Sequence, residues 1–179
     1  MKKISQWILK AAGWTLIDSA PKEKKCVICV APHTSNWDFI IGKLYYSAVG
    51  RKASFFMKKE WFFFPLGYFF KAIGGVPIDR NKKNSITDQL AQRFVNSEEF
   101  HLAITPEGTR KPNAEWKKGF YYIAQKAAVP IQLAYIDYTK KEVGIATNFH
   151  ITGDVEADMQ KIKLFYKDIK GKIPQNFLI

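Results

Sequence analysis

His33 and Asp38 stand five residues apart in Ala31-Pro-His-Thr-Ser-Asn-Trp-Asp38, the one stretch that pairs a histidine with a neighbouring carboxylate in a setting suited to catalysis. An Asp that accepts the proton on one imidazole nitrogen leaves the other free to act as a general base toward a hydroxyl. On a continuous helix five residues rotate by roughly 500°, so the two side chains would point about 140° apart. They can meet only if His33 lies in a turn and Asp38 in the first turn of the helix that follows. The same residues also have a purely structural reading, with His33 as a helix cap and Asp38 favouring the positive end of the helix.

Other fixed polar groups follow short apolar runs. Arg80 closes Ile78-Asp-Arg80, and Arg110 closes Pro106-Glu-Gly-Thr-Arg110, which also supplies the carboxylate of Glu107 and a flexible Gly108. Lys58 follows Phe55-Phe-Met57. An Arg binds phosphate bidentately, and two of them on neighbouring strand ends would make a phosphate site. Glu107 would bond a substrate hydroxyl or neutralise Arg80 or Arg110. Singly, each of these charges is an ordinary surface or ion-paired residue, and it is the joint pattern that argues for a site. Cys26 and Cys29 form a lone C-x-x-C with an odd separation, so on a strand they face opposite sides and read as buried structural thiols. His101 and His150 read as structural or solvent-facing.

The elements around these residues alternate between strand and helix. Cys26–Ala31 is a buried strand, and Pro32 keeps Ala31 out of the helical region. Thr34, Ser35 or Asn36 then caps a helix over about 36–49. Ala53–Met57, His101–Thr105, Val129–Ile136 and Val143–Thr147 read as strands, and Gly74–Arg80 as a turn into a short strand. Helical periodicity recurs over 84–97, 116–128 and 156–170, the last a basic amphipathic helix. A further amphipathic helix is expected within about 3–17, ending near Gly13. The run Trp61-Phe-Phe-Phe-Pro-Leu-Gly-Tyr-Phe-Phe70 is the most aromatic in the chain, and a mixture is expected, some rings in the core and some facing acyl chains. The fold class is α/β: a single domain over 1–179 with a mainly parallel central sheet flanked by helices. Catalysis then belongs at the strand-to-helix turns on one edge of that sheet.

Twenty-eight Lys and Arg against 16 Asp and Glu give a formal charge of +12, which selects anionic partners: phosphorylated small molecules, an anionic bilayer or nucleic acid. Aromatic residues make up 15% of the chain, a combination shared by interfacial membrane proteins and single-strand binders. The aromatics cluster in an apolar block away from most of the charge, which speaks against nucleic acid. No apolar run is long enough to span a bilayer and no signal peptide is read, so the expected location is the cytoplasmic face of a membrane, peripherally attached.

The ordered set His33-Thr-Ser-Asn-Trp-Asp38, Gly75-Val-Pro-Ile-Asp-Arg80, Pro106-Glu-Gly-Thr-Arg110 and Val129-Pro-Ile131 resembles the four motif blocks of the glycerophospholipid acyltransferases, a family that includes the 1-acylglycerol-3-phosphate (lysophosphatidic acid) acyltransferases. The resemblance covers about 26–136. Gln132-Leu-Ala134 stands where the fourth block usually carries a further Pro. The resemblance implies the fold of that family and an O-acyltransferase. His33 would be the general base and Asp38 its orienting partner, and the hydroxyl would attack an acyl thioester directly, with no acyl-enzyme. Arg80 and Arg110 would hold the acceptor phosphate. Glu107 and Gly108, in one motif with Thr109, would position its glycerol part, and Lys58 is a further phosphate candidate. Backbone N–H groups near the turn after His33 are candidates for an oxyanion hole.

The donor would be acyl-CoA or acyl carrier protein, and the acceptor a lysophospholipid, with contact to an anionic membrane. No cofactor or metal is implied. Two other readings stay open: an acyltransferase for another lipid acceptor, such as an acylated amino acid lipid, and a non-catalytic lipid-binding protein.

Overall fold

The computed structural model describes residues 1–79 and 85–179. In chain order the elements are α1 (Lys2–Ala11), β1 (Thr15–Asp18), β2 (Lys25–Val30), α2 (Trp37–Val49), β3 (Phe55–Lys58), α3 (Leu66–Ala72), β4 (Gly75–Ile78), α4 (Ile86–Val95), β5 (Phe100–Ile104), α5 (Gly119–Ala127), β6 (Ile131–Asp137), β7 (Glu142–Phe149) and α6 (Val155–Tyr166). Short 3-10 turns cover Lys59–Trp61 and Pro174–Asn176.

Five strands form one sheet in the order β1-β7-β6-β2-β5. Every pairing in it is parallel except β6 with β7. A parallel pair, β3 and β4, carries the same direction outward, because Ser54 just before β3 bridges to Leu102 of β5. The Ser54 N–H donates to His101 O at 2.8 Å, and the Ala103 N–H donates to Ser54 O at 2.8 Å. The C-terminal ends of β2, β5, β3 and β4 therefore share one edge, where the loops carrying the candidate site begin.

β2 is the middle of the molecule. Its Cys-Val-Ile-Cys run is wholly buried because helices cover both faces of the sheet, so no alternation of polar residues is needed. Val27 and Cys29 pack with Leu102, Ile131 and Leu133 against α4, α5 and α6. Cys26 and Ile28 pack with Ala134 and Ile136 against α1 and α2. The two thiols thus occupy opposite layers, as their spacing requires, and burial pushes both up to about 12, which leaves them unreactive.

Two stretches differ from the sequence expectation. Helix α1 stops at Ala11, and Gly13, at a positive φ of 78°, turns the chain so that Thr15–Asp18 form β1 beside β7. Apolar Leu16 and Ile17 fit a helical period equally well, and only the pairing partner more than a hundred residues later selects the strand. The aromatic run 61–70 places none of its rings in the core: Gly67 is its one buried residue, and only Phe62 and Phe70 are even half-buried. The seven-residue α3 lies outside the narrow β3–β4 pair, with no further layer to cover it. Gln132, which departs from the fourth motif block, is a buried β6 residue whose Nε2 donates to Pro21 O at 2.9 Å and Asn148 Oδ1 at 3.0 Å.

Candidate active site

The chain leaves β2 at Val30, runs through a loop and starts α2 at Trp37, so His33 is in the turn and Asp38 in the first helical turn. That is the arrangement their spacing needs, and His33 Nδ1 lies 3.2 Å from Asp38 Oδ2. The helix is not capped by Thr34, Ser35 or Asn36 in the ordinary sense. Instead Asp38 reaches back, and its Oδ2 accepts the Thr34 and Ser35 N–H groups, each at 2.8 Å. Ser35 Oγ accepts the Trp37 N–H at 3.2 Å. Burial opposes the charge of Asp38, but hydrogen bonds from His33, Tyr138 and the Ser35 N–H outweigh it and hold the carboxyl below its ordinary range. His33 Nε2 makes no hydrogen bond among the described residues.

The loop after β5 meets this turn from the neighbouring strand. Glu107, 1% exposed, accepts the His33 N–H on Oε1 at 2.7 Å, while its buried Oε2 has no partner among the described residues. Burial pushes the Glu107 carboxyl up to about 7; the His33 N–H works against that shift and the Asp38 charge adds to it. The carboxylate predicted to face substrate thus faces the backbone of the candidate base. The expected oxyanion donors are also committed: the N–H groups of His33, Thr34 and Ser35 all go to Glu107 or Asp38.

Gly108 adopts φ +67°, a left-handed conformation that favours glycine at this position of the loop. Thr109 Oγ1 accepts the Lys111 N–H at 3.1 Å. Arg110 is exposed, its backbone carbonyl accepting from Asn176 Nδ2 at 2.9 Å and its guanidinium in no ion pair among the described residues. Lys58 is exposed at the end of β3, paired in register with Ile78 of β4. Arg80 lies outside the described residues.

The acyltransferase family model matches residues 14–136, more than half of the chain. The chain belongs to the acyltransferase family. Acyl transfer is accordingly the reaction class of this enzyme, in agreement with the four motif blocks. A search of curated proteins by sequence found no match to the acyltransferase. Among solved structures it resembles the crystal structure of the 1-acyl-sn-glycerophosphate (LPA) acyltransferase PlsC from Thermotoga maritima. The TM-score is 0.61 at 17% identity, over 93% of this chain and 77% of that one. At that identity the likeness establishes the fold: an α/β domain with a mainly parallel sheet between helices.

Sequence reasoning missed one neighbour of the pair in this acyltransferase. Tyr138, just past β6, donates its hydroxyl to Asp38 Oδ1 at 2.7 Å across 100 residues of chain. No local spacing signals it, and it lies beyond the span 14–136 matched by the family model. An apolar rim borders the site as well. Trp37, Phe39 and Ile40 are exposed on α2, and Phe39 packs edge-on to Phe55 at 5.1 Å. Beyond β3 the rim continues into Trp61, Phe63, Phe64 (82% exposed), Tyr68 (73% exposed) and Phe69. Lys43 ties the two parts together, donating to Ile73 O at 2.6 Å. Among the described residues no helix is long and apolar enough to cross a membrane.

Proposed function

We infer that this acyltransferase moves a fatty acyl group from an acyl thioester, acyl-CoA or acyl carrier protein, to the hydroxyl of a lysophospholipid. The acceptor we assign is 1-acylglycerol-3-phosphate, and the product phosphatidic acid. The observation that carries the reading is the His33–Asp38 contact, with Nε2 unbonded among the described residues. In this mechanism Nε2 takes the proton of the acceptor hydroxyl while Asp38 steadies the imidazolium that forms. The oxygen attacks the thioester carbonyl, a C–O bond forms, the C–S bond breaks, and the thiolate leaves with the proton held on the imidazole. No covalent enzyme intermediate is needed, since both thiols are buried and held protonated.

Arg110, Lys58 and Arg80 bind the acceptor phosphate, and the Gly108–Thr109 turn lies against its glycerol part. The acceptor class is supported by the Arg110 guanidinium, in no ion pair among the described residues, by the net charge of +12, and by the likeness in fold to the LPA acyltransferase PlsC. Beside the site the exposed apolar rim offers acyl chains a surface that the core does not claim. With lysines worth about 1 kcal/mol each near anionic lipid, this rim supports peripheral attachment to a bilayer.

The test is thiol release from acyl-CoA and from acyl carrier protein, with and without lysophosphatidic acid, for the wild type and His33→Ala. Acceptor-dependent release that falls by about 10²–10⁴-fold in the variant is expected for loss of a general base. Equal turnover in the variant would remove His33 from the mechanism. Silence with every donor and acceptor, alongside binding to lipid vesicles, would favour a lipid-binding protein instead.

A further inference from the structure

We propose that Tyr138 is a positioning residue of the acyl-transfer site, its hydroxyl holding the Asp38 carboxylate in the orientation that presents Oδ2 to His33 Nδ1. The inference rests on the general-base reading of His33. Asp38 is 4% exposed, so both of its oxygens need partners within the protein. Oδ2 receives the Thr34 and Ser35 N–H groups and lies against His33. Oδ1 receives the Tyr138 hydroxyl at 2.7 Å. Two backbone donors fix where Oδ2 sits, but they leave the carboxylate plane free to turn about it. A donor on Oδ1 removes that freedom.

Tyr138 is itself held from three sides. Its ring packs edge-on to Trp14 at 5.2 Å. Its N–H donates to Lys170 O at 2.9 Å, beyond α6. The turn that carries it is pinned by Asp137 Oδ1, which accepts the Thr139 N–H at 2.9 Å and the Lys140 N–H at 3.0 Å. A phenol so placed is preorganised, and its bond to a charged acceptor belongs to the stronger class. The titratable groups that face Asp38 are His33 and Tyr138, with Glu107 across the loop. Burial, then the bond to Asp38 and its charge, raise the Tyr138 phenol, so the hydroxyl remains a donor throughout the working range.

Tyr138→Phe keeps the ring against Trp14 and removes only the donor. Two readouts are taken on the full chain. The first, independent of activity, is the pH titration of the Asp38 carboxyl carbon by NMR, with its signal assigned through Asp38→Asn. The midpoint is expected to rise in Tyr138→Phe, because the ionised form has lost a donor. The second is thiol release. There kcat is expected to fall about tenfold, with KM for donor and acceptor within about twofold, and the acid limb of the pH profile is expected to move upward. In an Asp38→Asn background, Tyr138→Phe is expected to add little, since it acts through Asp38. An unmoved Asp38 titration with unchanged kcat, or a full additional loss in the Asn background, would overturn the proposal. If the wild type transfers no acyl group while the Asp38 midpoint still rises, the base mechanism has failed and the positioning contact stands.

Discussion

Glu107 is the residue whose position departs furthest from what its motif suggests. A carboxyl with one oxygen on the His33 N–H and the other buried with no partner among the described residues is stable only when its charge is suppressed or offset. Its raised value of about 7, against an ordinary 4.5, means that between these pH values the folded protein keeps a proton the unfolded chain has released. This group's contribution to stability is therefore complete below about pH 4.5 and declines as pH rises through 7. Glu107→Gln still offers a carbonyl to the His33 N–H and cannot ionise. Its stability relative to wild type is expected to improve by on the order of 2 kcal/mol between pH 5 and pH 8, read from denaturant midpoints at each pH. A difference that stays constant over that range would mean that Glu107 is already ionised in the fold.

Helix α3 and the turn before it show what an element does when no layer covers it. On its inner side α2 reaches β3 through the Phe39–Phe55 contact and the residue after α3 through the Lys43 bond to Ile73 O, so the exposed rings of α2 and α3 flank the same part of the fold. Gly67 is tightly packed: a Cβ there would come within 2.6 Å of Phe62 O, so the turn into α3 leaves no room for a side chain at this position. Replacing Phe64 and Phe69 together by Ser is expected to weaken cosedimentation with phosphatidylglycerol vesicles about 100-fold, the effect of losing two buried phenyl groups from a lipid interface. The melting temperature is expected to stay nearly unchanged, because neither ring supports the core. Unaltered vesicle binding would assign attachment to α1, whose Ile4 and Trp7 are also exposed.

Across the whole molecule, the segment after α6 ties together parts that are far apart in sequence. The Ile173 N–H donates to Thr34 Oγ1 at 3.2 Å, and a Cβ on Gly171 would come within 2.7 Å of that same oxygen. Asn176 Nδ2 donates to the Arg110 carbonyl at 2.9 Å, and Trp116 Nε1 donates to Leu178 O at 3.1 Å. One strap thus bears on both the His33 loop and the Arg110 loop. Removing residues 171–179 is expected to lower Tm by about 5–10 °C, as losing a few such bonds would in a chain of this size, and to reduce kcat alongside it. Scanning calorimetry and thiol release would check this, and a truncated chain with full activity would show that the loops hold their geometry without the strap.

Much of the architecture was legible in the sequence because it is written by near neighbours. A buried apolar run became β2, Pro32 and the polar residues after it made the turn, and helical periodicity gave α2, α4, α5 and α6. The five-residue spacing of His33 and Asp38 stated the condition under which they meet, and the fold satisfies it. Other features depend on which distant segments come to lie side by side. Thr15–Asp18 is a strand because β7 is there to pair with it. The aromatic run is exposed because no layer follows the β3–β4 pair. Glu107 faces the His33 backbone because β2 and β5 are neighbours, and Tyr138 reaches Asp38 because the end of β6 lies beside the end of β2. Local spacing sets what each segment can become, whereas burial and the pairing of polar atoms are settled only by the strands and helices that pack around them.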